Sequence, residues 1–147
     1  MSSTHLSLHC HLIFGTKNHE PLIASAWRSR LHAYMGGILA SLDTVPEIVG
    51  GVEDHVHILA GLCATHRLAD VLREIKSSSS RWVHEEIRLP TFAWQEGYGA
   101  FTVSASQCET VRRYIAGQEE HHRTRSFKEE YLEFLQKSGV IFDPRYL

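Results

Sequence analysis

The stretch Asp54-His55-Val56-His57-Ile58-Leu59-Ala60-Gly61-Leu62 decides how this chain is read. As a strand from His55 onward, its residues alternate between two faces, so His55, His57, Leu59 and Gly61 share one and Val56, Ile58 and Ala60 the other. The second set is apolar throughout and belongs against helices. The first sets two imidazoles side by side on the opposite face, where two nitrogens can serve one divalent ion. In isolation such a pair reads as readily as two half-exposed strand histidines, so the decision rests on the rest of the chain.

Upstream, Ile48, Val49 and Val52 make a short strand that turns at Glu53-Asp54 into the histidine strand as a hairpin. Nearer the N-terminus, Leu6, Leu8, Cys10 and Leu12 alternate with Ser7, His9, His11 and Ile13, again with a strand's period of two. A turn region from Gly15 to Pro21 follows. Trp27, Leu31, Tyr34/Met35, Ile38 and Leu42 then recur at helical spacing. Downstream of the histidines, Leu68, Leu72, Ile75 and Trp82/Val83 line a second helix, whose weak point is the run of poor helix formers Ser77 to Ser80. Leu89-Pro90-Thr91 breaks the pattern, and Phe92 to Ser104 reads as extended with a turn at Glu96-Gly97. Ser106 with Glu109 forms a capping-box signature opening a helix through Val111, Ile115 and His122. Ser126 with Glu129 repeats it ahead of Phe127, Tyr131, Phe134 and Leu135, and Gly139 closes that helix. The order β-α-β-β-α-β with two further helices predicts an α+β, ferredoxin-like (RRM-like) sandwich: an antiparallel sheet with helices on one face and a C-terminal tyrosine-bearing helix on the other. One domain over residues 1–147 is the simplest division.

Composition limits the function classes. An apolar fraction of 43% with 22% charged residues suits a soluble globular domain, and no apolar run approaches the roughly 20 residues of a membrane span. Met1-Ser2-Ser3-Thr4-His5 has neither the basic nor the apolar region of a signal peptide, so a cytoplasmic location is expected. Cys10, Cys63 and Cys108 are odd in number and without CxxC spacing, which suits thiols in a reducing compartment. The formal charge of −2 argues against non-specific coating of nucleic acid and leaves room for a local basic groove. The eleven histidines are the compositional outlier.

Tyr114 and Gln118, in Tyr114-Ile115-Ala116-Gly117-Gln118, stand four residues apart on one helical face. Alone they read as a surface tyrosine and a solvated glutamine. A helix that follows the last strand can, however, cross the sheet face that bears His55 and His57. A phenol of pKa near ~10 is a poor nucleophile at neutral pH, and a divalent ion on a scissile phosphate stabilises the charge that builds on its oxygens. Two neutral imidazoles and an amide oxygen would leave such an ion its full charge. Attack by tyrosine stores the broken bond as a phosphotyrosine, so a strand can be rejoined without an energy source.

Five segments, in this order, carry a resemblance to a known family: His11-Leu12-Ile13-Phe14-Gly15-Thr16-Lys17, Asp54-His55-Val56-His57-Ile58-Leu59, Ile75-Lys76-Ser77-Ser78-Ser79-Ser80-Arg81, Trp94-Gln95-Glu96-Gly97-Tyr98, and Tyr114-Ile115-Ala116-Gly117-Gln118. Over nearly its whole length the chain resembles the single-tyrosine HUH transposases of insertion sequences, the IS200-like and REP-associated tyrosine transposases. The resemblance implies a metal-dependent enzyme that cuts and rejoins single-stranded DNA beside imperfect hairpins at element ends, through a 5′-phosphotyrosine. It implies Tyr114 as nucleophile, His55, His57 and Gln118 as ligands of Mg2+ or Mn2+, and a homodimer whose tyrosine helix can act in trans. Neither a membrane nor a small-molecule substrate is implied. Gly117 departs from the family, where a polar residue is expected between tyrosine and glutamine, and the acidic balance is unusual for a DNA recombinase.

Lys17, Lys76 and Arg81 fall within the matched segments and are the candidate DNA contacts. Arg112 and Arg113 flank the tyrosine and either steer a phosphate or pair with acids such as Glu109. His121 and His122 read as a solvated helix end, and His11 as near the metal face or structural. Trp94, Tyr98 and Phe101 read as core or dimer packing rather than a base-stacking platform. Two other functions fit the residues: a hairpin DNA-binding module of the same fold that has lost turnover, and a small metallohydrolase with water as nucleophile.

Overall fold

The computed structural model describes residues 3–147; Met1 and Ser2, which enter the leader-sequence reading, lie outside the described residues. The elements run β1 (His9–Gly15), α1 (Ser25–Ser41), β2 (Val45–Gly51), β3 (His55–Gly61), α2 (Leu68–Trp82) and β4 (Gly99–Val103). Then come α3 (Cys108–Ala116), the single turn α4 (Gln118–His121) and α5 (Phe127–Lys137). The sheet order is β2-β3-β1-β4 and each neighbouring pair is antiparallel. This is the ferredoxin-like α+β sandwich expected from the element order.

The alternation in β3 sorts its side chains as its residue types require. Val56, Ile58 and Ala60, with Leu12 and Phe14 of β1, are buried against Leu31, Met35 and Leu39 of α1 and Leu72 and Ile75 of α2. Each large side chain buried there contributes roughly 1.5–3 kcal/mol. On the opposite face Leu59 packs against Cys108 and Ile115 of α3. Helices on both faces bury the strand, and its two histidines are fully buried as well.

The serine run does not interrupt α2. Ser79, the buried member, donates its hydroxyl back to the Ile75 carbonyl at 2.6 Å and accepts the Trp94 indole N–H at 2.9 Å, so no polar atom of the pair is left unmatched. The predicted extension from Phe92 to Ser104 shrinks to Gly99–Val103, with one bridge between Thr16 and Trp94. The reason is Lys76, whose ammonium gathers the carbonyls of Gln95, Glu96 and Gly97 at 2.8, 3.1 and 2.6 Å and so curls that segment out of the ladder.

The two capping signatures behave differently. Ser126 and Glu129 form a reciprocal capping box that opens α5. Ser106 does not cap: it lies in a 3-10 turn, its hydroxyl pairs with Ser104 at 3.2 Å, and α3 starts at Cys108. The helix expected to run through His122 stops at Ala116, where the Gly117 N–H turns back to the carbonyls of Arg113 and Tyr114, and restarts at Gln118. Gly139, at φ 67°, ends the last helix as expected. No helix of the described residues is long and apolar enough to cross a membrane.

Candidate active site

The site lies on the face of the sheet opposite α1 and α2, under α3, α4 and α5. The register sets His57 opposite Ile13 and Leu59 opposite His11, which brings His11 beside His57 on this face. His11 Nε2 and His57 Nδ1 share a hydrogen bond of 2.8 Å. His55 Nδ1 lies 2.7 Å from the Asp54 carboxylate, which can only accept when ionised, so this nitrogen carries a proton and Nε2 is the one that faces the cluster. Strand alternation thus aims the two imidazoles, and the residue just before the strand holds Nδ1 of one.

The structure brings Tyr114 and Gln118 to these histidines from within the same chain. The Tyr114 ring meets that of His57 edge-on, with centroids 5.7 Å apart. Gln118 is buried, with Oε1 3.0 Å from His55 Nε2 and 2.9 Å from His122 Nε2. Its amide nitrogen donates to Glu130 Oε2 at 3.1 Å, which turns its oxygen toward the imidazoles.

Two further residues, His122 and Glu130, complete the cluster. His122, read as part of a solvated helix end, has a side chain only 7% exposed. Glu130 of α5 is buried at the centre, with Oε1 3.0, 3.2 and 3.3 Å from Nε2 of His57, His122 and His55. Its other oxygen accepts the Tyr114 hydroxyl, and His121 Nε2 lies 3.4 Å from the same hydroxyl. A signal for Glu130 existed in the sequence. It stands three residues after Phe127 and four before Phe134, on the apolar stripe of α5, where a lone carboxylate calls for partners.

Around this carboxylate the electrostatics favour positive charge. Burial alone would lower His55, but its hydrogen bonds to Asp54 and Glu130 outweigh it and raise it to about 9. Burial keeps His57 down at about 4 despite Glu130, and takes His11 to about 3 with His57 adding to the effect. Burial would raise Glu130, yet hydrogen bonds from His122, His55 and His57 hold it well below the usual carboxylate range. Burial and the Glu130 carboxylate push the Tyr114 phenol well above its ordinary value. His55, His57, His122 and Glu130 each present a donor atom within 4.8 Å of the others, a grouping that suits a metal ion.

The other candidate residues lie elsewhere. Lys17 and Lys76 flank opposite sides of the 93–97 loop, and Arg81 is exposed farther along α2. Lys76 commits its ammonium to the loop carbonyls and rests over the Phe14 and Tyr98 rings. Arg112 pairs with Glu47 at 3.2 Å, and Arg113 is exposed. Trp94 is core, edge-on to Phe14 and Phe92; Phe101 packs on Phe134; Tyr98 is exposed. A pocket of about 150 Å³ opens beside Tyr114 between Arg125, Lys137, Glu133 and Phe134.

Comparison with known proteins places the family and the fold. The family described as "Transposase IS200 like" matches residues 4–118. Among solved structures, the chain is similar to a protein of Deinococcus radiodurans R1 provisionally described as a transposase, at 22% identity, covering 80% of this chain and 95% of that one with a TM-score of 0.65. It is also similar to a REP-associated tyrosine transposase bound to a REP hairpin, at 12% identity, covering 80% of this chain and 70% of that one with a TM-score of 0.54. Both likenesses are likenesses of fold. No curated protein matches.

Proposed function

Since the chain belongs to the IS200-like transposase family, and so to a class of enzymes, we propose that it cuts and rejoins single-stranded DNA beside hairpins at the ends of a mobile element. Tyr114 is the nucleophile, and His55, His57 and Gln118 hold a divalent ion, Mg2+ or Mn2+. The observation that carries this reading is the meeting of Tyr114, Gln118 and the histidine pair in one buried cluster, although 57 residues separate His57 from Tyr114.

A bound ion would polarise the scissile phosphate and offset the charge on its oxygens. The protein's own groups do the rest. The Tyr114 oxygen attacks phosphorus and its proton passes to a neighbouring acceptor, Glu130 Oε2 or His121 Nε2. The bond from phosphorus to the 3′-oxygen breaks, that oxygen takes up a proton, and a 5′-phosphotyrosine remains. A 3′-hydroxyl attacking the phosphotyrosine reverses the step and reseals the strand. Lys17, beside the 93–97 loop, and Arg81, exposed on α2, are the candidate backbone contacts, while Lys76 shapes that loop. Family membership supports a homodimer acting in the cytoplasm at the nucleoid, with the tyrosine helix free to serve either subunit.

Incubation with Mg2+ and an end-labelled single-stranded hairpin is expected to give a covalent protein–DNA adduct on a denaturing gel, and Tyr114→Phe is expected to abolish it. An adduct that persists in Tyr114→Phe would move the nucleophile elsewhere. Cleavage that survives Tyr114→Phe but not His57→Ala would point to water as the nucleophile.

A further inference from the structure

His122 and Glu130 lie beyond the 4–118 span that matches the family, yet they share the cluster with His55 and His57. Their hydrogen bonds say what they are arranged to do. His122 Nδ1 lies 2.6 Å from the Arg125 carbonyl oxygen, which can only accept, so Nδ1 carries a proton and Nε2 is the nitrogen that faces the cluster. Asp54 holds His55 Nδ1 in the same way. Both Nε2 atoms point at the same two oxygens, Gln118 Oε1 and Glu130 Oε1, at 2.9 to 3.3 Å. His57 Nε2 meets Glu130 Oε1 at 3.0 Å, with His11 available to take the proton of its Nδ1. Three imidazole nitrogens and two oxygens crowded at these distances need positive charge among them, either protons on the rings or a metal ion.

The geometry points to a five-donor metal centre in which Nε2 of His122 and Oε1 of Glu130 join Nε2 of His55, Nε2 of His57 and Oε1 of Gln118. The ion class is a first-row transition divalent ion such as Mn2+, Co2+ or Zn2+. Metal–donor bonds of about 2.0–2.2 Å put neighbouring donors roughly 3.0–3.5 Å apart, close to the 2.9 to 3.3 Å between the imidazole nitrogens and the two oxygens here. Three imidazoles suit borderline ions, whereas Mg2+ prefers oxygen and retains its waters. A bound ion would be held by these five donors and would supply Lewis-acid polarisation to a phosphate oxygen. Because Glu130 Oε2 also accepts the Tyr114 hydroxyl, one carboxylate links the ion to the nucleophile, and α5 becomes part of the active site.

This inference deepens the reading of the same site, and its test uses no DNA. X-ray absorption of the Co2+- or Zn2+-loaded full chain counts coordinated imidazoles: three are expected in the wild type and two in His122→Ala. Calorimetric titration should show Mn2+ bound more tightly than Mg2+, with Mn2+ affinity falling about tenfold or more in both Glu130→Gln and His122→Ala. Two imidazoles in the wild type, or Mn2+ affinity unchanged in both variants, would overturn the assignment. Tighter Mn2+ binding by Glu130→Gln would also overturn it, because Glu130 would then be competing with the ion. Should His122→Ala fail to fold, the wild-type count and the shape-conserving Glu130→Gln still decide. Three imidazoles without any DNA adduct would leave this centre standing and the transposition chemistry refuted; an adduct with two imidazoles would do the reverse.

Discussion

At His32, on α1, burial and the neighbouring Arg28 guanidinium push the imidazole down to about 4, and its Nε2 has no hydrogen-bond partner among the described residues. Arg28 is itself held by Glu119 at 3.4 Å and the Ile23 carbonyl at 2.8 Å, so the positive charge stays in place. The unfolded chain titrates His32 near ~6.5, so between there and pH 4 only the unfolded state takes up the proton. The contribution of His32 is therefore complete above about pH 6.5 and is lost as the pH falls through 4, a change of up to roughly 3 kcal/mol. His32→Leu should match the wild type at pH 7 within about 1 kcal/mol and lose less stability on acidification, as read from urea midpoints at pH 7 and pH 4.5; parallel declines would disprove the assignment. Residues of this scale were unevenly legible. His55 and His57 follow from strand parity, which needs only sequence. His122 and Glu130 depend on where the chain goes after the break at Gly117, and no local period encodes that turn. The carboxylate on the apolar stripe of α5 was the one local trace of it.

Between elements, the decisive contact is α3 on β2 at Gly50. A Cβ there would lie 2.8 Å from both Cγ2 and the carbonyl oxygen of Ile115, so the helix rests directly on the strand backbone. Gly15 and Gly99 serve the same face, under Phe127 and Tyr131 of α5. Gly50→Ala should lift α3 and carry Tyr114 and Gln118 away from the histidines. The expected outcome is a loss of roughly 1–3 kcal/mol in chemical denaturation, together with weaker Mn2+ binding and less adduct. Gly36→Ala makes the control: half-buried on α1, its Cβ meets nothing within 4 Å, and it should stabilise by about 0.5–1 kcal/mol. Equal effects of the two substitutions would show that close approach is not what Gly50 provides. The long elements were legible because each has an apolar period to read: the whole β-α-β-β-α-β order, and even α2 across its serines. The errors fell where a side chain overrides local pattern. Lys76 draws the 95–97 carbonyls out of β4, and Ser106 satisfies itself with Ser104 rather than capping α3.

For the molecule as a whole, charge sets how DNA is held. Of fifteen Lys and Arg residues, many are paired with carboxylates: Arg112 with Glu47, Arg125 and Lys137 with Glu133, Arg67 and Arg73 with Asp70, Arg123 with Glu120, Arg145 with Asp143, Arg28 with Glu119. Lys76 is spent on loop carbonyls. Lys17, Arg30, Arg81, Arg88, Arg113 and Lys128 carry no carboxylate partner among the described residues, and all six are exposed. A net charge of −2 gives no long-range attraction to supplement them. Six cations spread over several faces cannot all reach one hairpin, so the number of phosphates neutralised must be small. Each neutralised phosphate contributes about −0.7 to −0.9 to the slope of log affinity against log salt. The expected slope for a single-stranded hairpin is therefore shallow, no steeper than about −4, and Lys17→Gln or Arg81→Gln should each flatten it by about one if that residue touches the backbone. Fluorescence anisotropy from 50 to 300 mM salt measures both. A steep slope unaffected by either substitution would mean that the paired arginines release their carboxylates to DNA, and the binding surface would then lie along Arg125 and Lys137 beside Tyr114 rather than across the 93–97 loop.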